Sequence, residues 1–353
     1  MKDKLYNLLS NGSNLNIGDN VPYAGMIGFT PSQGARSPKL WNASFKGLGV
    51  KAEMYPMDIV DEDTLSRVIS VLKDDEYFIG GAVTMPYKQH IIKYLDALEE
   101  EAEIIGAVNC VYRKDGRLIG SNTDGAGAIE SLKNTFSDFS LKGKKVLAIG
   151  VGGAGMAVMT YLAREIGRDG TLIISNRSIQ VAEEFAKKLR SFCENIRVIP
   201  VANIANHVDE LALLVNCSSV GFESVQRDDK GLYSLEPYTP LGLIDGTLRV
   251  TGEDVTRMTI MSHIKDDVLH NLNESIDVLL KLPEDVVVFD IIYQPEHTQL
   301  LHLASLCGLR TIGGLGMNLE QAVVGFYKAV SFSGLANHNK IHIPTIRNLM
   351  SNT

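Results

Sequence analysis

The chain has 353 residues, of which 45% are hydrophobic and 22% are charged, and its formal net charge is -8 at pH 7. This length and apolar content are sufficient for two packed cores, and the acidic balance without a basic run argues against a nucleic-acid-binding surface. The charged amino terminus, the lack of an apolar stretch of membrane-spanning length and four widely separated cysteines predict a cytoplasmic protein with reduced thiols and no signal peptide or membrane span.

Strand-like and helix-like patterns alternate through the first third of the chain. Apolar runs predict strands at residues 23–29, 52–56 and 77–83, and helical periodicity predicts helices at residues 38–48, 61–72 and 91–105. Residues 108–113 and 117–121 bracket a Lys114-Asp115-Gly116 turn and predict a hairpin, and residues 125–132 predict a helix. Together these elements predict a small α/β domain.

A second alternation begins at Lys145. It predicts strands at residues 146–149, 171–175, 197–200, 213–216, 286–292 and 310–312, and helices at residues 156–166 and 181–192. The predicted fold class is therefore α/β with two domains. The first is an N-terminal α/β substrate domain of residues 1–123 and 315–353, to which a last helix at residues 319–330 returns. The second is a Rossmann-type doubly wound dinucleotide-binding domain of residues 124–314.

Residues 223–285 interrupt this alternation with about sixty residues of weak pattern. One helix face is predicted there, formed by Val268, Leu269, Leu272, Ile276, Leu279 and Leu280. A structureless connection of this length would be unusual. We expect an insertion that packs on the sheet edge; a lid or a subunit contact is the alternative.

A lysine and a distant carboxylate suggest acid/base chemistry. Lys88 ends the segment Gly81-Ala82-Val83-Thr84-Met85-Pro86-Tyr87-Lys88, and Asp124 follows Asn122-Thr123. In a partly desolvated cleft, such a lysine can give or take a proton at an alcohol or carbonyl oxygen. The histidines show no ligand spacing, so no metal site is predicted.

A glycine-rich turn after the strand at residues 146–149 predicts a dinucleotide site. Gly150 would permit the tight turn, Gly152 would allow close approach of the pyrophosphate, and a helix amino terminus from Ala154 would stabilise its charge. After the next strand, Arg177 stands near the position where an NAD enzyme carries an acidic residue for the ribose hydroxyl. The sequence therefore favours NADP, with NAD as an alternative.

These motifs, in this order, resemble the shikimate dehydrogenase family over about residues 25–330. The matching segments are residues 81–88, 106–109, 122–124, 150–154, 176–178, 216–222, 290–298 and 314–321. The resemblance implies that Lys88 and Asp124 are catalytic and that Ser37, Thr84, Asn109, Tyr293 and Gln321 orient the substrate ring. It also implies cofactor contacts from Gly150, Gly152, Gly153, Ala154, Asn176, Arg177, Ser178, Ser218 and Gly314.

The implied reaction moves a hydride between nicotinamide and a ring hydroxyl or ketone of a cyclic hydroxy-carboxylate, as between 3-dehydroshikimate and shikimate. A quinate or aminoshikimate-type dehydrogenase of specialised metabolism is the alternative among enzymes. A ligand sensor on the same fold is the alternative from another class, and retention of both Lys88 and Asp124 argues against it. The expected partner is a small molecule, and the expected state is a monomer or a homodimer.

Three departures from the family pattern bear on substrate and cofactor. The family's Ser-x-Ser-Pro pair, which holds the substrate carboxylate, is Ala35-Arg36-Ser37-Pro38 here. Losing one hydrogen bond to a charged group weakens binding by roughly 1.5 to 3 kcal/mol, so we expect weak shikimate binding. Arg36 is the alternative carboxylate partner, but the sequence favours an outward-facing arginine at this position. Ala82 replaces a family asparagine, and Val181 replaces a basic residue that would favour NADP.

Overall fold

The computed structural model of the chain describes residues 2–251, 255–335 and 341–353. The chain divides into two compact units, Met1–Gly127 with Asn318–Thr353, and Ala128–Met317. Both boundaries fall within helices, a few residues beyond the predicted boundaries at 123/124 and 314/315. The α/β fold class predicted from the sequence is confirmed.

The helices and strands follow each other as the two alternations indicate. The strands are β1 Tyr23–Gly28, β2 Glu53–Asp58, β3 Phe78–Val83, β4 Ala97–Leu98, β5 Cys110–Lys114, β6 Arg117–Ser121, β7 Lys145–Ile149, β8 Thr171–Ser175, β9 Asn195–Ile199, β10 Leu211–Asn216, β11 Val225–Asp228, β12 Gly231–Ser234, β13 Val287–Asp290 and β14 Arg310–Ile312. The α-helices are α1 Lys2–Leu8, α2 Ser37–Leu48, α3 Glu62–Asp74, α4 Glu100–Ile105, α5 Asp124–Thr135, α6 Gly153–Ile166, α7 Ile179–Leu189, α8 Arg257–Leu279, α9 Gln299–Leu306, α10 Gly314–Phe332 and α11 Ile343–Ser351.

The first unit is built on a six-stranded sheet of order β2-β1-β3-β5-β6-β4. Strand β1 pairs in parallel with β2 and β3, and β5 pairs antiparallel with both β3 and β6. Every residue of β1 and β3 is buried, because the sheet carries one apolar cluster on each face. Tyr23 and Ile27 belong to one cluster, whereas Ala24 and Met26 belong to the other. Because β1 and β3 pair in parallel, their carboxyl ends lie side by side.

The second unit is built on a parallel sheet of order β14-β13-β10-β7-β8-β9. Within this unit the order corresponds to 3-2-1-4-5-6, the arrangement of a Rossmann sheet, with the strand order reversing between β7 and β10. Ligands of such sheets bind outside the carboxyl ends of the strands at that reversal. The predicted glycine turn follows β7, so it lies at this position.

The predicted hairpin is present, but the predicted helix at residues 91–105 is wrong. Asp115 and Gly116 join β5 to β6 with positive φ angles of 51° and 75°, as a tight two-residue turn requires. Residues 91–105 instead divide into a 3-10 helix at His90–Tyr94, the short strand β4 and helix α4. Pairing of β4 with β6 at the sheet edge overrides the local helical pattern there.

The predicted insertion contains a hairpin, β11 with β12, and the 23-residue helix α8; residues 252–254 of it lie outside the described residues. The predicted apolar face of α8 is partly wrong. Val268 and Leu279 are buried, but Leu269 and Leu280 are 59% and 69% exposed. The buried face begins earlier than predicted, with Ile260, and includes polar Asn271 and Ser275, which bond to the segment that precedes the helix. Buried polar residues such as these add nothing to an apolar periodicity, so the sequence pattern did not indicate this part of the buried face.

Candidate active site

Lys88 is held by the backbone of the turn that follows β3. The Thr84 amide donates to Ile27 O at 2.9 Å, and the Val108 amide donates to Lys88 O at 2.7 Å. The Lys88 side chain is 29% exposed, and its Nζ donates to Asp124 Oδ2 at 2.7 Å. The lysine and the carboxylate singled out from the sequence are therefore in direct contact, 36 positions apart in the chain.

Asp124 is the first residue of helix α5 and is 8% exposed. Its Oδ1 accepts a hydrogen bond from Asn109 Nδ2 at 2.7 Å, and its amide donates to Asn122 Oδ1 at 3.1 Å. A carboxylate in the first turn of a helix is stabilised by the helix dipole. Asp124 thus has one oxygen for Lys88 and the other for Asn109, which fixes both partners.

Asn109 connects Asp124 to helix α10. Its Oδ1 accepts from the Thr123 amide at 2.7 Å, and its Nδ2 lies 3.4 Å from Gln321 Oε1. Thr123 Oγ1 also donates to Gln321 O at 3.0 Å. Thr123 immediately precedes Asp124 but was not predicted as a site residue; its hydroxyl contributes to the placement of Asn109 and Gln321.

Two other predicted substrate residues of the first unit, Ser37 and Thr84, form no hydrogen bond with Lys88 among the residues that the structure describes. Ser37 begins α2 and is buried. The Thr84 methyl group lies next to Gly28 at the end of β1, where a Cβ atom added to Gly28 would be 2.4 Å from it. Tyr293 belongs to the second unit and is 42% exposed. The structure therefore brings together Lys88, Asp124, Asn109 and Gln321 by hydrogen bonds, and it places Ser37 and Thr84 elsewhere in the same unit.

The glycine turn of the second unit has the features of a phosphate cradle. Gly150 has φ of 99°, and a Cβ there would lie 2.7 Å from the Ser218 amide nitrogen. Gly152 and Gly153 are exposed, and a Cβ at either position would meet nothing within 4 Å. Helix α6 begins at Gly153, one residue before the predicted Ala154, and no side chain caps it. Its first amide groups are therefore available to an anion.

The residues after β8 flank this turn. Asn176 Oδ1 accepts from the Val151 amide at 3.0 Å, and Asn176 Nδ2 donates to Ser178 O at 2.8 Å. Arg177 is exposed and forms no hydrogen bond or ion pair with any residue in the described ranges. Gly314 lies at the start of α10, where a Cβ would be 2.1 Å from Ile291 O. Only glycine fits that backbone contact.

A buried carboxylate joins the loops after β10 and β13; it begins the family-matched segment 290–298 but was not predicted as a site residue. Asp290 is fully buried and accepts hydrogen bonds from Asn216 Nδ2, Thr298 Oγ1 and the Ile292 amide at 3.0, 2.7 and 3.1 Å. The Ser218 hydroxyl donates to Asn216 Oδ1 at 2.7 Å. Burial raises the pKa of Asp290 to about 6, although the donated hydrogen bonds act in the opposite direction.

We expect Asp290 to give the protein a pH-dependent stability. Because its pKa is raised from 3.8 to about 6 in the folded state, the native protein binds more protons than the unfolded chain between these values. The free energy of unfolding should therefore fall by about 2 kcal/mol as pH rises from 4 to 7. Urea unfolding of the parent and of Asp290→Asn across this range measures the difference, and Asp209→Asn is the exposed control. A parallel pH dependence in parent and Asp290→Asn would contradict the expectation.

Metal-binding clusters and membrane-spanning helices were also searched for among the residues that the structure describes. Within residues 2–251, 255–335 and 341–353, no group of three or more His, Cys, Asp or Glu side chains is placed to hold a metal ion. Over the same ranges, no helix has both the length and the apolar character needed to cross a membrane.

Comparisons with known proteins relate both units to one family. Residues 28–111 match the model of the shikimate dehydrogenase substrate binding domain, and residues 130–229 match the model of shikimate / quinate 5-dehydrogenase. The NADP(+) shikimate dehydrogenase of Alkaliphilus oremlandii is 31% identical over 314 residues, 88% of this chain and 92% of that protein. The NADP(+) shikimate dehydrogenase of Methanocaldococcus jannaschii is 32% identical over 307 residues, 86% of this chain and 89% of that protein.

A solved structure agrees with these relatives. Shikimate 5-dehydrogenase from Listeria monocytogenes, in complex with shikimate and NAD, has a TM-score of 0.69 and 26% identity, covering 90% of this chain and 94% of that one. The resemblance predicted from the sequence motifs is therefore confirmed, and the chain belongs to the shikimate dehydrogenase family.

Proposed function

We propose that the protein is an NADP-dependent dehydrogenase that interconverts a hydroxyl and a ketone on a cyclic hydroxy-carboxylate, with 3-dehydroshikimate and shikimate as the substrate pair. The observation that carries the proposal is the 2.7 Å contact between Lys88 Nζ and Asp124 Oδ2. Relatives that share about a third of their residues with this chain over most of its length are named NADP(+) shikimate dehydrogenases.

The proton of the reaction passes through Lys88. In the reducing direction its ammonium group donates a proton to the forming alkoxide oxygen, and in the oxidising direction its amine accepts the hydroxyl proton. Asp124 holds the lysine in place and is itself held by Asn109. Asn109, Gln321, Ser37, Thr84 and Tyr293 orient the ring by hydrogen bonds, a role that their positions in the family motifs support.

The second unit has residues that fit the cofactor. The cradle of Gly150, Gly152 and Gly153, with the uncapped start of α6, suits a pyrophosphate, and Asn176, Arg177 and Ser178 suit the adenosine phosphate. Ser218 and Gly314 border the loops after β10 and β13. When bound, the nicotinamide group supplies or accepts the hydride.

Arg177→Ala should reduce NADPH affinity about tenfold to a hundredfold and change NADH affinity little. The exposed guanidinium has no partner among the described residues, and in the proposed complex it pairs with the 2′-phosphate that only NADPH carries. Val181 in α7 is half exposed and stands where the family often has a second basic residue, so Arg177 is the principal basic residue proposed for the 2′-phosphate. Fluorescence titration with both cofactors measures the effect. Arg168→Ala, before β8 at the opposite end of that strand, is the control. Equal affinity of the parent protein for NADPH and NADH would contradict this role.

The proposal assigns the two predicted domains their roles. Residues 1–123 and 315–353 form the substrate-binding catalytic domain, and residues 124–314 form the NADP-binding domain with its insertion at residues 223–285. Three of the four cysteines, Cys110, Cys193 and Cys217, are buried free thiols, which supports our placement of the reaction in the reducing cytoplasm. We also propose a monomer or a homodimer.

A spectrophotometric screen tests the function. Shikimate, quinate and 3-dehydroshikimate are each offered with NADP(H) and NAD(H), and reduction or oxidation of the nicotinamide is followed. The proposal predicts turnover of shikimate and 3-dehydroshikimate with higher kcat/KM for NADP(H). Turnover of quinate alone would identify the quinate-type alternative. Binding of a ring carboxylate without turnover of any substrate would identify the sensor.

A further inference from the structure

We propose that Glu99 and Lys328 are positioning residues of the active site, because their ion pair fixes helix α10 against the first sheet so that Gln321 meets the substrate ring. The inference rests on the proposed function, in which Gln321 is one of the residues that orient the ring. Neither Glu99 nor Lys328 lies in a segment that matches the family motifs. Its support is the surroundings of the Glu99 carboxylate, the face that α10 turns to the sheet, and the connection of both to Asn109.

The Glu99 carboxylate joins one helix and two strands of the first unit. Glu99 stands between β4 and α4, and its side chain is 23% exposed. Lys328 Nζ in α10 donates to both carboxylate oxygens, at 2.7 and 2.8 Å. The Tyr112 hydroxyl in β5 donates to Oε1 at 2.8 Å, and the Ser121 hydroxyl at the end of β6 donates to Oε2 at 2.7 Å. Charge-assisted hydrogen bonds from several elements to a half-buried carboxylate hold these elements far more firmly than an exposed ion pair does.

The donors around this carboxylate outweigh its burial. Burial acts to raise the pKa of Glu99, whereas hydrogen bonds from Lys328, Ser121 and Tyr112 lower it, and the resulting pKa lies below the ordinary value. The carboxylate is therefore charged at neutral pH. Removal of the Lys328 ammonium group would leave a partly buried charge with hydroxyl donors alone, which is unfavourable. Glu99 and Lys328 thus act as a pair, and loss of either changes how α10 is held.

Helix α10 turns one face to strands β5 and β6. Gln321, Gly325 and Lys328 follow each other at intervals of four and three residues, so they lie on the same side of the helix. Near one end of this face, the backbone oxygen of Gln321 accepts from Thr123 Oγ1 at 3.0 Å. In the middle, a Cβ atom added to Gly325 would be 3.4 Å from Cys110 Sγ. Lys328 fixes the other end, and the regular helix between them relates its position to that of Gln321.

The sheet connects the same contacts to the carboxylate of Asp124. Ser121, a partner of Glu99, accepts through its backbone oxygen from the Asn109 amide at 3.2 Å. Asn109 Nδ2 donates to Asp124 Oδ1 at 2.7 Å and lies 3.4 Å from Gln321 Oε1. All of these residues belong to the first compact unit. The position of Gln321 relative to Asn109 therefore depends on the attachment of α10 at both ends of its buried face.

The test compares shikimate oxidation by the parent, Lys328→Met, Gln321→Ala and the double variant at saturating NADP+. Lys328→Met should raise KM for shikimate about threefold to thirtyfold, a coupling typical of one hydrogen-bond network. Because Lys88 and Asp124 keep their contact, kcat should stay within about twofold of the parent. Gln321→Ala should raise KM at least as much. In the double variant, Lys328→Met should add less than about twofold, because its effect passes through Gln321.

Two further variants serve as controls. Lys328→Arg keeps a cation for Glu99 and should recover most of the parent KM. Lys73→Met removes a matched ion pair, in which Lys73 Nζ of α3 lies 2.7 Å from Asp96 Oδ1, just before β4, with side chains 33% and 29% exposed. This variant should keep the KM of the parent. Should Lys328→Met fail to fold, Glu99→Gln takes its place with the same expected results. Circular dichroism and NADPH titration show whether each variant is folded.

The outcomes separate this inference from the proposed function on which it rests. Shikimate turnover in the parent with an unchanged KM in Lys328→Met overturns the positioning role. A double variant whose increase in KM is the product of the two separate increases also overturns it. Absence of shikimate turnover in the parent overturns the proposed function. Calorimetric binding of shikimate then decides: weaker binding in Lys328→Met, with no further loss when it is added to Gln321→Ala, supports the positioning role, and unchanged or undetectable binding overturns it.

Discussion

Lys88→Ala should lower kcat for shikimate oxidation about a hundredfold or more, because it removes the group that accepts the hydroxyl proton. NADPH affinity should be nearly unchanged, since the predicted cofactor residues belong to the other compact unit. Steady-state kinetics at saturating cofactor and fluorescence titration of NADPH measure the two quantities separately.

Lys93→Ala is the matched control for this variant. Lys93 follows five positions later, its side chain is 60% exposed, and its Nζ pairs with Glu62 and lies over the Tyr94 ring. It should retain the kcat of the parent. Undiminished turnover in Lys88→Ala would overturn the assignment of Lys88 as the acid/base group, whatever the fate of the cofactor site.

Asp124→Asn should lower kcat about tenfold to a hundredfold, the value of a hydrogen bond between charged groups. The carboxylate now accepts at both oxygens, from Lys88 Nζ and from Asn109 Nδ2, each at 2.7 Å. An amide in the same place has only one acceptor oxygen, so either the lysine or the asparagine loses its partner. The measurement is kcat and KM for shikimate at saturating NADP+.

Asp63→Asn provides the control for Asp124→Asn. Asp63 pairs with Arg67 on the surface of α3, and both side chains are mostly exposed, so the exchange should leave kcat unchanged. If Asp124→Asn also kept the kcat of the parent, the network around Lys88 would have no part in catalysis.

The Rossmann-type fold class and the pairing of Lys88 with Asp124 could be predicted because their signals are local. Continuous apolar strands, glycine at fixed spacing and a turn motif each appear within a few residues of sequence. The lysine and the carboxylate occur at the ends of two such segments. Strands β3 and β6, which precede the two residues, are both antiparallel to β5, so they end at the same edge of the sheet.

The failures have a different physical origin. The segment at residues 91–105 has a helical pattern, but sheet-edge pairing of Ala97 and Leu98 decides its structure. Helix α8 is buried partly through Asn271 and Ser275, whose hydrogen bonds leave no apolar signal. The link from Arg36 to Asn318 spans 282 positions. No spacing rule connects residues so far apart, so this hydrogen bond required the structure.

Transfer of deuterium tests the central claim, direct hydride exchange with a ring carbon, most directly. The protein is incubated with 3-dehydroshikimate and NADPH labelled with deuterium on one face of the nicotinamide C4, and then with the other labelled form. We expect one of the two forms to give shikimate with a single deuterium at the carbon that bears the new hydroxyl, and unlabelled NADPH in D2O to give none at that carbon. Absence of reduction with both forms, or hydrogen from solvent at that carbon, would contradict it.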